Sequence, residues 1–306
     1  MAETHPATHD VIIAGGGHNG LTCGAYLARA GLKVLVLERS DIVGGAAVSR
    51  ELYEGWTYSN CSYVCSLLRP EIVRDLDLPR HGLQVIPYTG GASFTREGEY
   101  FAYSSDHHAL EREIARLNPR DVDGYERYMQ AVMRQCRFVR PLLLRTPPDP
   151  VAARPRDVAE LLFLLRRFND LGEREMNEAI RFWTGSIGDY LDSFIEHPLI
   201  KAHLAGSGII GTGLGVYSPG TAYVLLHHYM GDIDGATGSW GFARGGMGAV
   251  SRALAGALCE AGGEIRCDAE IERFLVRGGR VAGVALTSGE EFRARTVASN
   301  MDVKRT

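Results

Sequence analysis

Asp10-Val11-Ile12-Ile13-Ala14, then Gly15-Gly16-Gly17-His18-Asn19-Gly20, then a small-residue segment, then Lys33-Val34-Leu35-Val36-Leu37-Glu38 reads as strand, glycine turn, helix, strand and carboxylate. A lone G-x-G-x-x-G is a weak signal, but in this order it is the dinucleotide-binding βαβ unit. Gly15 permits the tight turn out of the strand, and Gly17 lets backbone amides approach a pyrophosphate. Gly20, with Cys23, Gly24 and Ala25 behind it, lets the helix lie close to the sheet. His18 and Asn19 stand where that helix opens, and its unpaired N–H groups and dipole favour an anion there. Glu38 is placed to accept both ribose hydroxyls of an adenosine. Its charge would repel a 2′-phosphate, which disfavours NADP even though Arg39 follows. The alternative is an ordinary α/β domain with a glycine turn, in which all four elements would fall into register by coincidence.

A plain NAD-binding unit continues from its second strand into another crossover helix and a third parallel strand. Here the chain runs instead through Val43-Gly44-Gly45-Ala46-Ala47 into a polar, aromatic stretch from Tyr53 to Tyr63. A second pair of glycines just past the acid lets another loop pass close to the same cofactor, which suits the longer, extended FAD.

At these residues the chain resembles the FAD-dependent phytoene desaturase-like oxidoreductases, and within them a branch described as containing a pyridine nucleotide-disulfide oxidoreductase domain. The resemblance is carried by Gly17 to Leu21, the Glu38-Arg39 pair and Gly44 to Val48. It continues in Ser66 to Pro70, Ser218 to Tyr223, Leu225 to His228, Trp240-Gly241 and Gly245 to Ala249. Many desaturases have Gly-Gly-Arg where this chain has Gly44-Gly45-Ala46, which leans away from a true carotene desaturase. A Pro-Gly pair common in the branch is Glu54-Gly55 here.

The resemblance implies a Rossmann-like, glutathione reductase-like FAD-binding domain holding FAD through Gly15, Gly17, His18, Asn19, Gly20, Glu38, Arg39, Gly44, Gly45 and Ala46. It puts the backbone of Ile271 against the adenine and Ser299-Asn300 near the first glycine turn. The implied activity is a dehydrogenase or desaturase acting on an extended apolar substrate such as a polyene or isoprenoid. Relatives of this type continue past Asn300-Met301-Asp302 into a final glycine-rich stretch. On that reading the chain is C-terminally truncated and the isoalloxazine half of the site incomplete, so a flavin-binding fragment without independent catalysis stands as one alternative. A flavin amine oxidase, which shares the fold, is the other.

The chain has 306 residues, 45% of them hydrophobic, which suffices for a large core, and a net charge of -4, which gives no reason to expect nucleic acid. A locally basic middle, Arg134 to Arg156 with Arg166-Arg167, reads first as solvated helix faces and leaves a peripheral membrane contact open. Met1 to His9 has neither the apolar core nor the arginine-rich character of a leader, so a cytoplasmic protein is expected. The six cysteines follow no metal pattern. Cys61 and Cys65, at helical spacing, read as buried thiols rather than a redox pair.

Beyond the first segment, Leu83 to Pro87 and Ala92 to Tyr103 alternate like strands, with Gly90-Gly91 as a turn. Helical spacing follows at Leu110 to Leu117 and Tyr125 to Met133, and after a proline-rich break at Asp157 to Phe168, Ser186 to Glu196 and Pro198 to Ala205. Gly206-Ser207-Gly208-Ile209-Ile210-Gly211 also satisfies G-x-G-x-x-G, but it follows a helix rather than a strand and reads as a loop. From Gly248 the pattern returns to helix and strands, ending in Phe292 to Ser299, a strand that rejoins the first sheet. The expected organisation is therefore an FAD-binding domain in two parts, residues 8–90 and 241–306, around a helical and mixed substrate domain at 91–240.

Flavin chemistry needs no obligatory protein acid or base, and no residue stands out as one. His227, His228 and Trp240, with Tyr223 and Tyr229, are the candidates for the substrate side, although adjacent histidines point to different faces. No acid or cysteine stands at ligand spacing to them, so no metal is expected. His107-His108 are read as capping or solvent-exposed residues before a helix.

Overall fold

The computed structural model describes residues 8–152, 154–233 and 235–306, so most of the stretch on which the leader reading rests, residues 1–7, lies outside the described residues. The chain divides into two units. The first begins with β1 (His9–Ala14), α1 (His18–Arg29), β2 (Val34–Leu37), β3 (Ser49–Tyr53), β4 (Trp56–Ser59), α2 (Pro70–Asp75) and β5 (Val85–Pro87). The second holds β6 (Gly90–Phe94), β7 (Tyr100–Ser104), α3 (His107–Leu117), α4 (Asp121–Val139), α5 (Pro155–Asn169), α6 (Glu173–Thr184), α7 (Ile187–Asp192), α8 (Pro198–Ile209), α9 (Thr221–Val224) and α10 (Leu226–Tyr229). The first unit resumes with β8 (Asp232–Ile233), while β9 (Ala236–Thr237) belongs to the second. From Trp240 the chain completes the first unit with β10 (Gly241–Ala243), α11 (Gly248–Glu260), β11 (Glu264–Arg266), β12 (Ile271–Arg277), β13 (Arg280–Leu286) and β14 (Glu291–Ser299).

The first unit is built on a six-stranded sheet in the order β11-β2-β1-β14-β13-β12. β1 pairs in parallel with both β2 and β14, so Ala14 stands beside Leu37 on one side and Ser299 on the other. Strands covered on both faces read as continuous apolar runs, as Val11 to Ala14 and Val34 to Leu37 do. Ile12, Leu35 and Leu37 bury one face against Val284 and Leu286. Ile13, Val34 and Val36 bury the other against Leu21 and Ala25 of α1 and Leu254 and Leu258 of α11.

The second unit packs its helices around Tyr128, Phe182, Ile187, Leu191 and Leu226, all fully or almost fully buried. Asp121 at the start of α4 is buried too, and its carboxylate accepts the backbone N–H groups of Glu196 and His197 at 2.8 Å each. The turn leading into α8 is thereby tied to α4.

Several expectations are corrected. The breaks expected at 90/91 and 240/241 fall after Pro87 and before Trp240, because β5 pairs antiparallel with β10 and ends the first unit there. Gly90-Gly91 lie inside β6, paired to Ser104 and Tyr103, rather than in a turn. The polar stretch after Val48 is a hairpin, β3 with β4, turned at Glu54-Gly55; its mostly exposed residues show no apolar alternation to read. Cys61 and Cys65 do not share a helix: Cys61 is exposed, while Cys65 is buried and its backbone bridges to Gly241. Burial pushes the Cys65 thiol up to about 11, which removes thiolate reactivity. Gly206 to Ile209 continue α8 rather than forming a loop. A Cβ at Gly208 would lie 2.8 Å from that of Ile187, so glycine serves close helix approach there. His107 and His108 are exposed, as one of the two expected readings has it, but they are the first residues of α3 rather than preceding it, and its cap is Asp106, which accepts the Ala109 N–H at 2.7 Å.

Burial lowers the proton affinity of His9, His203 and His228 below the usual 6.5. The unfolded chain therefore takes up these protons first as pH falls. The stability they contribute is intact above 6.5 and is lost as pH falls through the folded values. His203, whose Nδ1 meets Ser93 Oγ at 2.8 Å and whose ring stacks on Tyr103, is the clearest test. The melting temperature should decline from pH 7 to pH 5, less steeply in His203→Gln; identical slopes would remove His203 from the explanation.

Candidate dinucleotide site

The site is assembled where β1 gives way to α1. Gly15 adopts φ +99°, the left-handed turn that glycine permits, and donates its N–H to the Leu37 carbonyl at 2.8 Å. Gly17 is the N-cap of α1, and neither a side-chain cap nor an acid in the first turn occupies the positive end of that helix. His18 and Asn19 are exposed beside it. Gly20 sits so close to the turn that a Cβ would lie 2.3 Å from the Gly15 carbonyl oxygen. A Cβ on Gly17 would meet the Asn300 side-chain nitrogen at 3.0 Å, so its missing side chain makes room for Asn300 within the protein as well. Asn300 is held there by its N–H, which donates to the Ala14 carbonyl at 2.8 Å.

The second glycine pair runs alongside the first. Gly44 bridges in parallel to Gly17 and donates its N–H to the Gly16 carbonyl at 2.8 Å. Gly45 and Ala46 are exposed on the rim. The loop is held from below by Ser251 of α11, buried, whose hydroxyl donates to the Ala47 carbonyl at 2.7 Å. Glu38 is 8% exposed, and both its oxygens are engaged: Oε2 accepts the Gly16 N–H at 2.8 Å and Oε1 the Ser40 N–H at 3.0 Å. Arg39 beside it is exposed. The Ala269 and Asp268 N–H groups donate to the main-chain carbonyls of Glu38 and Ser40, so the chain entering β12 at Ile271 runs along the backbone that follows β2. The Ile271 side chain itself packs into the core under β1 and β2.

A family model described as flavin containing amine oxidoreductase matches residues 20–304. The chain belongs to this flavin-containing amine oxidoreductase family. Among curated proteins it is 35% identical to mouse pyridine nucleotide-disulfide oxidoreductase domain-containing protein 2, over 95% of this chain and 53% of that protein. It is 27% identical to a lycopene-forming phytoene desaturase of Pantoea ananas, over 96% of this chain and 56% of that enzyme. The chain thus spans about half the length of the curated relatives it matches. Among solved structures, a putrescine oxidase variant matches with TM-score 0.57 at 19% identity, over 94% of this chain and 57% of that one. A Rab GDI from Plasmodium falciparum matches with TM-score 0.55 at 13% identity, over 96% and 66%. At these identities the likeness speaks to the fold alone, which is the mixed α/β fold of flavin-dependent oxidoreductases.

The family's cofactor, FAD, fits the cradle. The uncapped N-terminus of α1 and the paired glycines leave backbone N–H groups for a pyrophosphate. An ionised carboxylate offers about four lone-pair sites, so Glu38 keeps acceptor capacity for ribose hydroxyls after its two amide contacts. Arg39 makes no ion pair among the described residues. Of the residues expected on the substrate side, His227 and His228 lie on α10 in the helical unit, and Trp240 immediately precedes β10 in the sheet unit. His227 is exposed, its Nδ1 within 3.0 Å of the Val224 carbonyl, and the Tyr223 ring meets it edge-on. His228 is half-buried, and burial favours its neutral form.

One group of metal-ligand atoms converges among the described residues, His107, Glu111 and Glu126, at an exposed end of α3. Their 3.3 and 3.6 Å contacts are those of surface ion pairs. No helix among the described residues is long and apolar enough to cross a membrane.

Three supporting residues escape a reading of the sequence: Ser251, Asp268 and Ala269. Ser251 interrupts an otherwise apolar helix face, which is a usable signal; the other two act through backbone alone and leave none.

Proposed function

We propose that this chain is the FAD-holding portion of an FAD-dependent oxidoreductase of dehydrogenase or desaturase type, acting on an extended apolar substrate such as a polyene or isoprenoid. The observation that carries the flavin half of this reading is the cradle of Gly15, Gly17 and Gly45 at an uncapped helix end, with the buried Glu38 beside it. The apolar substrate is supported by the phytoene desaturases among the relatives. The sheet supports the glutathione reductase-like form, with parallel β11, β2, β1 and β14 continued by antiparallel β13 and β12. Bound FAD supplies the hydride acceptor. The chain's own residues would bind and orient it: the N-terminus of α1 would take the pyrophosphate, Glu38 the ribose and the backbone at Ile271 the adenine. The family description favours an amine oxidase as the second reading.

The purified chain mixed with FAD should retain a stoichiometric flavin absorbance band after gel filtration. Under anaerobic conditions phytoene in liposomes should bleach it, and putrescine should not. A folded chain that keeps no flavin would overturn the proposal for the chain on its own, and bleaching by putrescine alone would favour the amine oxidase.

A further inference from the structure

A cleft of about 730 Å³ opens between α4, α6 and α7 in the helical unit, and none of its lining residues belongs to the glycine cradle. Four arginines line it. Arg127 and Arg134 lie two turns apart on α4, and Arg174 and Arg181 two turns apart on α6, so each pair shares a helix face. Two carboxylates face them. Glu178 is held by Arg134 at 3.6 Å and Arg174 at 3.0 Å, and Asp189 accepts the Ser186 hydroxyl at 2.6 Å. Arg127 and Arg181 make no ion pair among the described residues, so the cleft carries uncompensated positive charge.

The second observation is independent of charge. Gln135 of α4 also lines the cleft, is 8% exposed, and its Oε1 has no hydrogen-bond partner. It borders an adjoining cavity of about 320 Å³ as well, where the Nε of Arg167 is likewise buried without a partner. Native structures rarely leave such atoms unsatisfied, and an acceptor in a polar cavity calls for a donor from whatever fills it. Phe182 and Tyr190, edge to face at 4.8 Å, give the cleft an aromatic wall. The volume is that of a small-molecule site.

We propose that this cleft binds a small hydroxylated organic anion, its phosphate or carboxylate taken by Arg127 and Arg181 and a hydroxyl donated to Gln135 Oε1. The inference is independent of the flavin reading. Glycerol 3-phosphate, which has hydroxyl donors, and sulfate, which has none, are the ligands to titrate by calorimetry into the chain, with and without excess FAD. Saturable one-site binding of glycerol 3-phosphate is expected, undisturbed by FAD. The double variant Arg127→Gln/Arg181→Gln, which alters two exposed side chains, should weaken it at least about tenfold. Gln135→Leu should reduce the preference for glycerol 3-phosphate over sulfate and leave sulfate binding as it was. No saturable binding to the wild type, binding that survives the double arginine variant, or displacement by FAD would each overturn the proposal.

Discussion

Replacing Gly20 by alanine should destabilise the chain by about 1–3 kcal/mol and weaken FAD binding at least about tenfold. Intrinsic propensity predicts the opposite sign, since alanine in place of glycine inside a helix stabilises by about 0.5–1 kcal/mol. The contact decides it. The new Cβ would lie 2.3 Å from the Gly15 carbonyl oxygen, and that atom belongs to the turn that presents α1 to the pyrophosphate. Backbone cannot rotate away as a side chain can, so α1 must shift or the turn must open, and either displaces the N–H groups of the cradle. Gly24 supplies the control on the same helix. A Cβ there would meet Leu258 Cδ1 at 2.5 Å, the far end of a flexible side chain, with Ile13 Cδ1 next at 3.2 Å. Gly24→Ala should therefore stay within about 1 kcal/mol of the parent, because the helix-propensity gain offsets a small repacking cost. Denaturation midpoints and FAD titrations of the two variants, side by side, check this. Equal stability and equal flavin affinity would mean that the close approach at Gly20 is not what shapes the site.

What could be read in the residues is what local periodicity and steric demand impose. β1, the turn, α1 and β2 announce themselves because both strands are buried on two faces and the turn requires glycine at Gly15. The carboxylate at Glu38 follows from its place at the end of β2. Contacts formed across the sequence are less legible. Asn300 reaches the turn because β14 pairs with β1, a place that the resemblance and the return of Phe292 to Ser299 already implied, whereas the backbone at Asp268 and Ala269 holds the Glu38 main chain only because β11 pairs with β2. The β3–β4 hairpin is exposed on both faces and lacks the alternation that reveals a half-buried strand. α6, which supplies Arg174, Arg181 and Glu178 to the arginine cleft, buries only Ala179 and Phe182, so its stretch reads as polar surface. Gly208 helps mimic a nucleotide motif because helix packing and phosphate approach ask for the same thing, a missing side chain; Gly206, with nothing within 4 Å of a Cβ, completes the pattern without that demand.

Glu38→Gln is expected to lower FAD affinity about tenfold to a hundredfold, and to lower the stability of the flavin-free chain as well. The second effect follows from the hydrogen bonds already made. Glu38 Oε2 and Oε1 each accept a backbone N–H, from Gly16 and Ser40, in a position that is 8% exposed. Glutamine turns one of these oxygens into an NH2 group, so one amide donor faces another and a buried N–H loses its acceptor, at about 1–3 kcal/mol. The Gly16 contact matters more to the cofactor, because that residue lies between Gly15 and Gly17 and its carbonyl also holds Gly44. Glu38 thereby couples three parts of the cradle: the first turn, the second glycine pair through Gly16, and the ribose position at the end of β2. Two measurements separate brace from ligand, the denaturation midpoint without FAD and the dissociation constant for FAD. A fall in both supports the double role. A lower midpoint with unchanged FAD affinity would leave Glu38 as a brace for the loop, and the ribose hydroxyls would need another partner.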